Sequence, residues 1–421
     1  MKGYMARQMD EKYKLSVCIP NYDRMDRLDS LLRNLAGQIT VNGLHEEIEI
    51  CVSDDCSEAD PVVIVKKIRE AFDTINIRYE RNKQNMGMDY NFLHSVLIAQ
   101  GQYAWIVGND DVPEDGALSR ILATIDRENY KDVDIIVTPF DSFDYDNNYV
   151  KTVYPLGTVE GDILFDTSDK EQWHKLVMSV QDNSAVFGFL SNVVFKRKRW
   201  VEHGGMFADK MSSIFIQVYM NMQTLAEGAK YLYTPEKFII NFLDDETNQT
   251  IDRTYRIAAG LYDAMDYFFD GEEKRHIQKN VVDIFISSRF MEFPENDARK
   301  IKVNDFVSER MDIIKQYYVR IADRRQYFGG RTVIVYGAGN FGHMAVNDLM
   351  QYETEIIGIC DADIKKHGRY IGGKVIFGFE QLLREYGSRD NCMVVVANNL
   401  HLVQIVNMLR ENRILRIAII T

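Results

Sequence analysis

The chain has 421 residues, of which 46% are hydrophobic and 27% charged, and its formal net charge of -13 gives a pI near 5.2. This length exceeds one ordinary core and predicts two or three globular domains. The acidic balance excludes a general nucleic-acid binder, which would carry a basic footprint, so no nucleic-acid partner is expected. No apolar run reaches the length of a spanning helix or of a signal-peptide core, which favours a cytoplasmic protein. The cysteines lack metal-ligand spacing and predict reduced thiols.

Short apolar runs alternate with helical patterns in the first quarter of the chain. This alternation predicts an α/β fold with a mostly parallel sheet, in which ligands bind beyond the carboxyl ends of the strands. The predicted strands are Leu15–Pro20, Ile48–Val52, Ile75–Tyr79 and Tyr103–Val107. Polar clusters follow their ends, at Asn21 to Arg24, at Asp54 and Asp55, at Asn85 and Gly87, and at Asn109 to Asp111.

The last of these clusters, Asn109-Asp110-Asp111, places carboxylates directly after a buried strand. Hard oxygen ligands hold Mg²⁺ or Mn²⁺, and such an ion binds phosphates. The alternative is that Asp110 and Asp111 cap the next helix, predicted from Glu114 to Ile125, because Asp is a favoured capping residue. On these residues alone both interpretations are open.

The segments IPNYDR, VSDDCS, RNKQNMGMDYNF and WIVGNDD occur in this order. As an ordered set they resemble the family 2 glycosyltransferases, especially the bacterial abequosyltransferase-like group that builds O-antigen and capsule. The resemblance covers roughly residues 13–250. It implies a GT-A fold, a nucleoside diphosphate sugar donor, a divalent metal (Mn²⁺ or Mg²⁺), inversion at the anomeric carbon, and a glycan or lipid-linked acceptor.

The resemblance also implies site residues. Asn109-Asp110-Asp111 stands where the family has its D-x-D metal motif, with Asn in place of the first Asp. Asp111 is therefore the expected metal ligand together with Asn109, while Asp110 is the second choice for the metal and is assigned to the donor. The expected donor contacts are Pro20 and Tyr22 for the nucleotide pocket, Asp54 or Asp55 for the base or ribose, and Asn85, Gly87 and Asn91 for the donor floor.

Family members often place an Asp base about a dozen residues after a Gly-Gly turn, here Gly204-Gly205. Such a base would take the proton of the acceptor hydroxyl. Gln217 lies near the expected position and cannot act as a base, so Asp209 is the candidate. Two interpretations are open for the acidic pair Asp244 and Asp245: contact with the metal or the acceptor, and, more favoured, the start of a loop with neither contact.

The run Lys196 to Arg199 is the dense basic segment of an acidic chain. One interpretation is that it faces a lipid-linked pyrophosphate acceptor or the anionic inner surface of the membrane, which predicts peripheral membrane contact. The other is that it is the solvated start of a helix.

The remaining sequence predicts two further parts, a helical connector over residues 251–328 and a Rossmann-like domain over residues 329–421, after a first domain over residues 1–250. The last part opens with a strand, the glycine pattern Gly337, Gly339 and Gly342, a helix and a second strand ending at Asp361. This arrangement is typical of nucleotide binding, but it is also compatible with an architectural or homo-oligomer-forming domain. Two rival functions remain for the chain: a nucleotide-sugar-binding protein with a decayed transferase site, and, less favoured, an NAD(P)-dependent oxidoreductase.

Overall fold

The structure, a computed structural model, describes residues 11–130, 132–144, 147–182, 184–211, 213–242, 260–261, 263–285, 308–319, 323–389, 391–398 and 401–420. The chain divides into two compact units, one of Met1–Thr250 with Ala259–Asn280 and the other of Ile251–Ala258 with Val281–Thr421. The boundaries at residues 250 and 328 stay a prediction.

The first unit is built on an eight-stranded sheet. Its strands are β1 (Tyr13–Asn21), β2 (Ile48–Asp54), β3 (Asn76–Arg81), β4 (Gly101–Ile106), β6 (Ile135–Val137), β9 (Ile163–Asp166), β10 (Val193–Lys196) and β11 (Lys230–Tyr233). The spatial order is β3-β2-β1-β4-β10-β6-β11-β9. The first four strands run parallel, whereas β10 is antiparallel to both of its neighbours. The predicted α/β class and the mostly parallel first half are confirmed.

A smaller sheet and several helices complete this unit. The small sheet has the order β5-β12-β7-β8 and consists of β5 (Asp111–Pro113), β7 (Phe140–Phe143), β8 (Tyr149–Val153) and β12 (Ile239–Phe242). The helices are α1 (Met25–Val41), α2 (Val62–Ala71), α3 (Met88–Leu97), α4 (Ala117–Ile125), α5 (Lys170–Met178), α6 (Arg197–His203) and α7 (Ile216–Ala226).

The core of the first unit follows the periodicity of its sequence. Every residue of β2 is buried, as expected for a central parallel strand covered on both faces. Helix α1 buries one apolar face, which includes Leu28, Leu31 and Leu35. The apolar runs therefore fix the carboxyl ends of the strands at one edge of the sheet, where the polar clusters lie.

The segment after β4 differs from its prediction. Residues Asp111–Pro113 form strand β5, which pairs antiparallel with β12. Helix α4 begins only at Ala117, and its N-cap position is Gly116, which makes no side-chain cap. The interpretation of Asp110 and Asp111 as helix caps is thus wrong, because Asp111 itself belongs to a strand of three residues that ends before the helix begins at Ala117.

The second unit carries a separate six-stranded sheet. Its strands are β13 (Thr332–Tyr336), β14 (Glu355–Cys360), β15 (Tyr370–Ile371), β16 (Lys374–Phe377), β17 (Cys392–Val396) and β18 (Ile417–Ile419). Their spatial order is β15-β16-β14-β13-β17-β18, and the edge strand β15 is antiparallel to β16. The later helices are α8 (Gly271–Phe285), which spans the division between the units, and α9 (Ser308–Tyr317), α10 (Arg324–Phe328), α11 (Asn340–Met350), α12 (Phe379–Gly387) and α13 (Leu402–Glu411). Among the described residues, no helix is long and apolar enough to cross a bilayer.

Two of the three motif glycines around the start of α11 are required by packing. Gly337 has φ of +116°, a backbone conformation that favours glycine, and a Cβ there would lie 2.5 Å from the carbonyl oxygen of Ala397. A Cβ on Gly342 would lie 1.9 Å from the carbonyl oxygen of Gly337. Gly339 differs, since its Cβ would meet nothing within 4 Å. Two of the three motif glycines are therefore explained by the close approach of strand and helix.

We expect Gly342→Ala to destabilise the second unit, by about 1–3 kcal/mol or more, because the added methyl group overlaps a backbone carbonyl. The matched control is Gly339→Ala, which adds the same methyl group in open space and is expected to be nearly neutral. Hydrogen–deuterium exchange of peptides from β13 and β17 measures the effect. Equal protection of these strands in both variants would contradict the packing explanation.

Candidate active site at the carboxyl edge of the main sheet

Asn21, the last residue of β1, joins the polar segments that follow the parallel strands. Its side chain is buried and donates to Asp54 Oδ1 at 2.9 Å, while its own Oδ1 accepts from Asn109 Nδ2 at 2.8 Å. Its backbone carbonyl accepts from Asn91 Nδ2 at 3.1 Å and from the backbone N–H of Asp55 at 2.9 Å. The structure thus brings together four of the residues that the sequence assigned to one site.

The two acidic residues after β2 hold loops in place. Asp54 is fully buried and, in addition to Asn21, it meets Arg81 Nε at 3.3 Å. Asp55 Oδ1 accepts from the backbone N–H of Met86 at 2.8 Å, and its Oδ2 accepts from that of Gly87 at 2.9 Å. Asp55 therefore fixes the backbone of the predicted donor floor at Met86 and Gly87. Contact of Asp54 or Asp55 with a base or ribose stays a prediction.

Three predicted donor residues lie closer to solvent. Tyr22 is 48% exposed, directly beyond the end of β1. Pro20 is half-buried within β1. Asn85 is exposed, and its Oδ1 accepts from the backbone N–H of Gly87 at 3.0 Å. Tyr22 thus offers an accessible ring beside the Asn21 network, as a nucleotide contact requires.

Asp111 is a buried carboxylate supported from two other strand regions. Its Oδ2 accepts from Ser191 Oγ at 2.5 Å, and its Oδ1 accepts from Asn241 Nδ2 at 2.9 Å. Ser191 is itself fixed, because its Oγ accepts from the backbone N–H of Gly108 at 3.0 Å. Burial, followed by the negative charge of Asp110, raises the pKa of Asp111 to about 7.

Asp110 is paired with arginines instead. Its Oδ2 lies 2.5 Å from Arg24 Nη1 and 3.7 Å from Arg27 Nη1. Arg24 Nη1 also lies 3.5 Å from Asn109 Oδ1. Both side-chain polar atoms of Asn109 thus have partners in the site, namely Asn21 and Arg24.

The donor set at Asp110 and Asp111 fits a divalent cation that is bound jointly with a ligand. Within the described residues, no group of three or more His, Cys, Asp or Glu side chains comes together. Two carboxylates are what Mg²⁺ commonly uses when phosphates supply further oxygens. Burial, followed by the negative charge of Asp110, disfavours the ionised form of Asp111 and raises its pKa, and a cation between the two carboxylates would favour that form.

A pocket of about 370 Å³ opens beside this pair of carboxylates. One wall comes from the first turns of α1 and another from β5 and the end of β12. Its lining combines charged and amide groups with an apolar wall and includes Arg27, Asn34, Asp110, Asp111 and Phe242. The space next to the candidate metal ligands is therefore open and chemically mixed, as a bound phosphate or sugar needs.

The candidate base, Asp209, lies in a short 3-10 turn over Ala208–Lys210. Its side chain is 70% exposed and meets Lys210 Nζ at 3.1 Å. Gln217 is buried in α7 and donates to the carbonyl oxygen of Gly188 at 2.9 Å. Asp244 and Asp245 lie outside the described residues.

The basic run does not form a continuous basic surface. Arg197 is buried and donates to the carbonyl oxygen of Gly101 at 2.7 Å. Lys196 and Arg199 lie 3.7 Å and 3.6 Å from the same carboxylate oxygen of Asp134. Only Lys198 of this run is largely exposed, since its side chain is 60% accessible. Most of the run therefore serves the packing of α6, and membrane contact stays a prediction.

The acidic residue of the C-terminal glycine motif binds backbone groups of both the glycine loop and its own loop. Asp361 Oδ2 accepts from the backbone N–H of Ala338 at 2.7 Å and lies 3.1 Å from Lys366 Nζ. Its Oδ1 accepts from the backbone N–H of Asp363 at 2.8 Å. Asp361 thus holds the glycine loop in shape, and its contact with a nucleotide ribose stays a prediction.

The sequence missed one contributor to the site, Asn241. It lies 130 positions after Asp111 and reaches it because β12 pairs with β5. Its signal was a single amide in the otherwise apolar strand IINF. Ser191 also contributes to the site, because its hydroxyl donates to Asp111.

Known sequences resemble part of the chain. Residues 16–208 match the family model described as Glycosyl transferase family 2. The abequosyltransferase RfbV of Salmonella typhimurium is 30% identical over 189 residues, which cover 44% of this chain and 54% of that protein. An uncharacterized glycosyltransferase of Mycoplasma genitalium, MG060, is 24% identical over 146 residues, or 34% of this chain and 46% of that protein. The chain thus spans about half the length of the curated relatives it matches.

Solved structures also resemble the chain. TarS of S. aureus, residues 1–349 in complex with UDP-GlcNAc, is 15% identical with a TM-score of 0.48, covering 81% of this chain and 89% of that one. The mannosyltransferase PcManGT from Pyrobaculum calidifontis, in complex with GDP-Man and Mn²⁺, is 10% identical with a TM-score of 0.44, covering 74% and 86%.

The family match extends from the buried strand β1 through the metal-motif position to the turn that carries Asp209. It includes all of the predicted donor and metal residues. The predicted GT-A fold of this part is confirmed. Residues 16–208 of the chain form a family 2 glycosyltransferase domain.

Proposed function

We propose that the protein transfers a sugar, with inversion, from a nucleoside diphosphate sugar to a hydroxyl of a glycan or lipid-linked acceptor. The observation that carries this proposal is the buried Asp111 carboxylate, held by Ser191 and Asn241 beside a second carboxylate. A carboxylate in this setting is costly unless a cation neutralises it. The family match over the same residues supports sugar transfer as the purpose of that site.

The chain's own residues then have separate tasks. Asp111 and Asp110 would hold Mn²⁺ or Mg²⁺, which supplies positive charge where the diphosphate leaves the sugar. Ser191 and Asn241 keep the carboxylate of Asp111 in one orientation. Asn21 holds the loops of the donor floor against the metal-motif segment. Asp209 is the candidate that takes the proton of the acceptor hydroxyl.

The biological setting is part of the same proposal. The likeness to the Salmonella abequosyltransferase supports synthesis of a surface polysaccharide, such as O-antigen or capsule. Such an enzyme would work in the cytoplasm, at the inner face of the membrane when its acceptor is lipid-linked. The second unit would add nucleotide binding or the contact of a homo-oligomer.

We expect Asp111→Asn to abolish metal-dependent turnover, because the neutral amide loses the charge that holds the cation. The assay measures release of nucleoside diphosphate from a panel of nucleotide sugars with Mn²⁺, Mg²⁺ or EDTA. The matched control is Asp115→Asn, the same change at an exposed residue four positions on. Thermal unfolding shows that the variant is folded, and we expect no loss of stability because the repulsion with Asp110 is removed. Retained Mn²⁺-dependent turnover in Asp111→Asn would contradict the proposal.

Asn241→Ala is expected to weaken Mn²⁺ binding and turnover by about 10–100-fold, the usual cost of losing a hydrogen bond to a metal ligand. The reason is that Asp111 Oδ1 loses the donor that orients it. Asn148→Ala is the control, since Asn148 is exposed and precedes β8 in the same small sheet. Titration of Mn²⁺ against turnover measures the shift, and overlapping titration curves for Asn241→Ala and the wild type would show that this support is unimportant.

Asp209→Asn tests the assignment of the base. We expect turnover to fall by about 100-fold or more, because general base catalysis contributes on that order. Donor affinity, measured by calorimetry, should not change, since Asp209 is assigned to the acceptor side. A variant with unchanged turnover and unchanged donor binding would remove Asp209 from the mechanism.

A further inference from the structure

Two guanidinium groups meet a single carboxylate oxygen at the entrance of α1. Arg24 occupies the N-cap position of this helix and Arg27 lies in its first turn. Their Nη1 atoms lie 2.5 Å and 3.7 Å from Asp110 Oδ2. The two side chains are 39% and 38% exposed, so both remain accessible from solvent.

In this arrangement the carboxylate of Asp110 is the negative group that faces both arginines. In the proposed function, a dication at Asp110 and Asp111 draws that same charge to itself. Two arginines would then stand beside a cation, which is electrostatically unfavourable unless another anion arrives. The diphosphate of a nucleotide sugar is such an anion, and it arrives with the metal.

We propose that Arg24 and Arg27 bind the diphosphate of the donor, exchanging the Asp110 carboxylate for phosphate oxygens. The inference rests on the proposed function, because it assigns the recognition of that donor's charged part to these residues. Arg27 lines the pocket of about 370 Å³ that Asp110 and Asp111 also line. A phosphate group in this pocket is therefore within the reach of both the carboxylates and the guanidinium group.

The chemistry of the two positions suits this ligand. A guanidinium group presents a planar fork of donors that matches two phosphate oxygens. Asp110 offers a single carboxylate oxygen to both arginines. Both residues also sit at the beginning of a 17-residue helix, whose dipole favours an anion at that end. Asp110 would thus hold the arginines in place while the site is empty and release them when the metal and donor enter.

Calorimetric titration with inorganic pyrophosphate tests the exchange without any turnover. In EDTA, we expect Arg24→Gln and Arg27→Gln each to weaken pyrophosphate binding by about tenfold or more, as for a lost charge-assisted hydrogen bond. The matched control is Arg33→Gln, the same change on the same helix, where the guanidinium pairs with Asp29 at 2.7 Å. Arg27→Lys keeps the charge without the fork and should fall between Arg27→Gln and the wild type.

Asp110→Asn separates exchange from a purely structural bridge. If Asp110 competes with phosphate for the arginines, its removal should strengthen pyrophosphate binding in EDTA by several-fold and reduce the gain on adding Mn²⁺. A structural bridge predicts no gain in pyrophosphate affinity. Unchanged binding in Arg24→Gln and Arg27→Gln, or no gain in Asp110→Asn, would overturn the inference.

The same titrations distinguish this inference from the proposed function. Asp111→Asn should lose the Mn²⁺-dependent part of pyrophosphate binding and keep the part measured in EDTA. A wild-type protein that binds pyrophosphate through the arginines but gains nothing from Mn²⁺ or Mg²⁺ would contradict the metal-dependent transfer and leave the arginine assignment standing. Melting temperatures of all variants, measured in parallel, identify any variant that fails to fold.

Discussion

The candidate site depends on one buried side chain, Asn21. An amide offers both a donor and an acceptor, so Asn21 can receive from Asn109 and give to Asp54 in the same plane. Its backbone carbonyl adds Asn91 and the N–H of Asp55. A carboxylate at this position has no proton to donate to Asp54 and would repel it. The side chain and the carbonyl of Asn21 thus link the polar segments that follow the strands.

The two carboxylates of Asp110 and Asp111 lie side by side at a cost to the stability of the fold. Asp111 is buried next to Asp110, which disfavours its ionised form, yet two hydrogen bonds keep its oxygens pointing in fixed directions. Asp110 is compensated by arginines on α1, which leaves Asp111 as the carboxylate that burial and repulsion penalise. A protein under selection for stability alone would replace such a group with a neutral one, and its presence here is consistent with the cation that we propose for this site.

The sequence predicted what periodicity and chain order encode, and failed where distant strands meet. The parallel strands follow from apolar runs such as Ile48–Val52, and the polar clusters follow from their carboxyl ends. The strand Asp111–Pro113 was missed because three residues are too few to show an alternation. Asn241 was missed because its role comes from the pairing of β12 with β5, and no local pattern reports which strands pair.

The second unit shows why a motif alone does not determine a function. Gly337 and Gly342 fit the dinucleotide pattern, yet each is already required by a backbone carbonyl within 2.5 Å of the place of its Cβ. Asp361 likewise has both oxygens occupied within the fold, because one accepts from the glycine loop at Ala338 and the other from its own loop at Asp363. Only Gly339 has no packing reason within its surroundings. Its open position is therefore the part of the motif where a bound nucleotide, and not the fold, would explain the absence of a side chain.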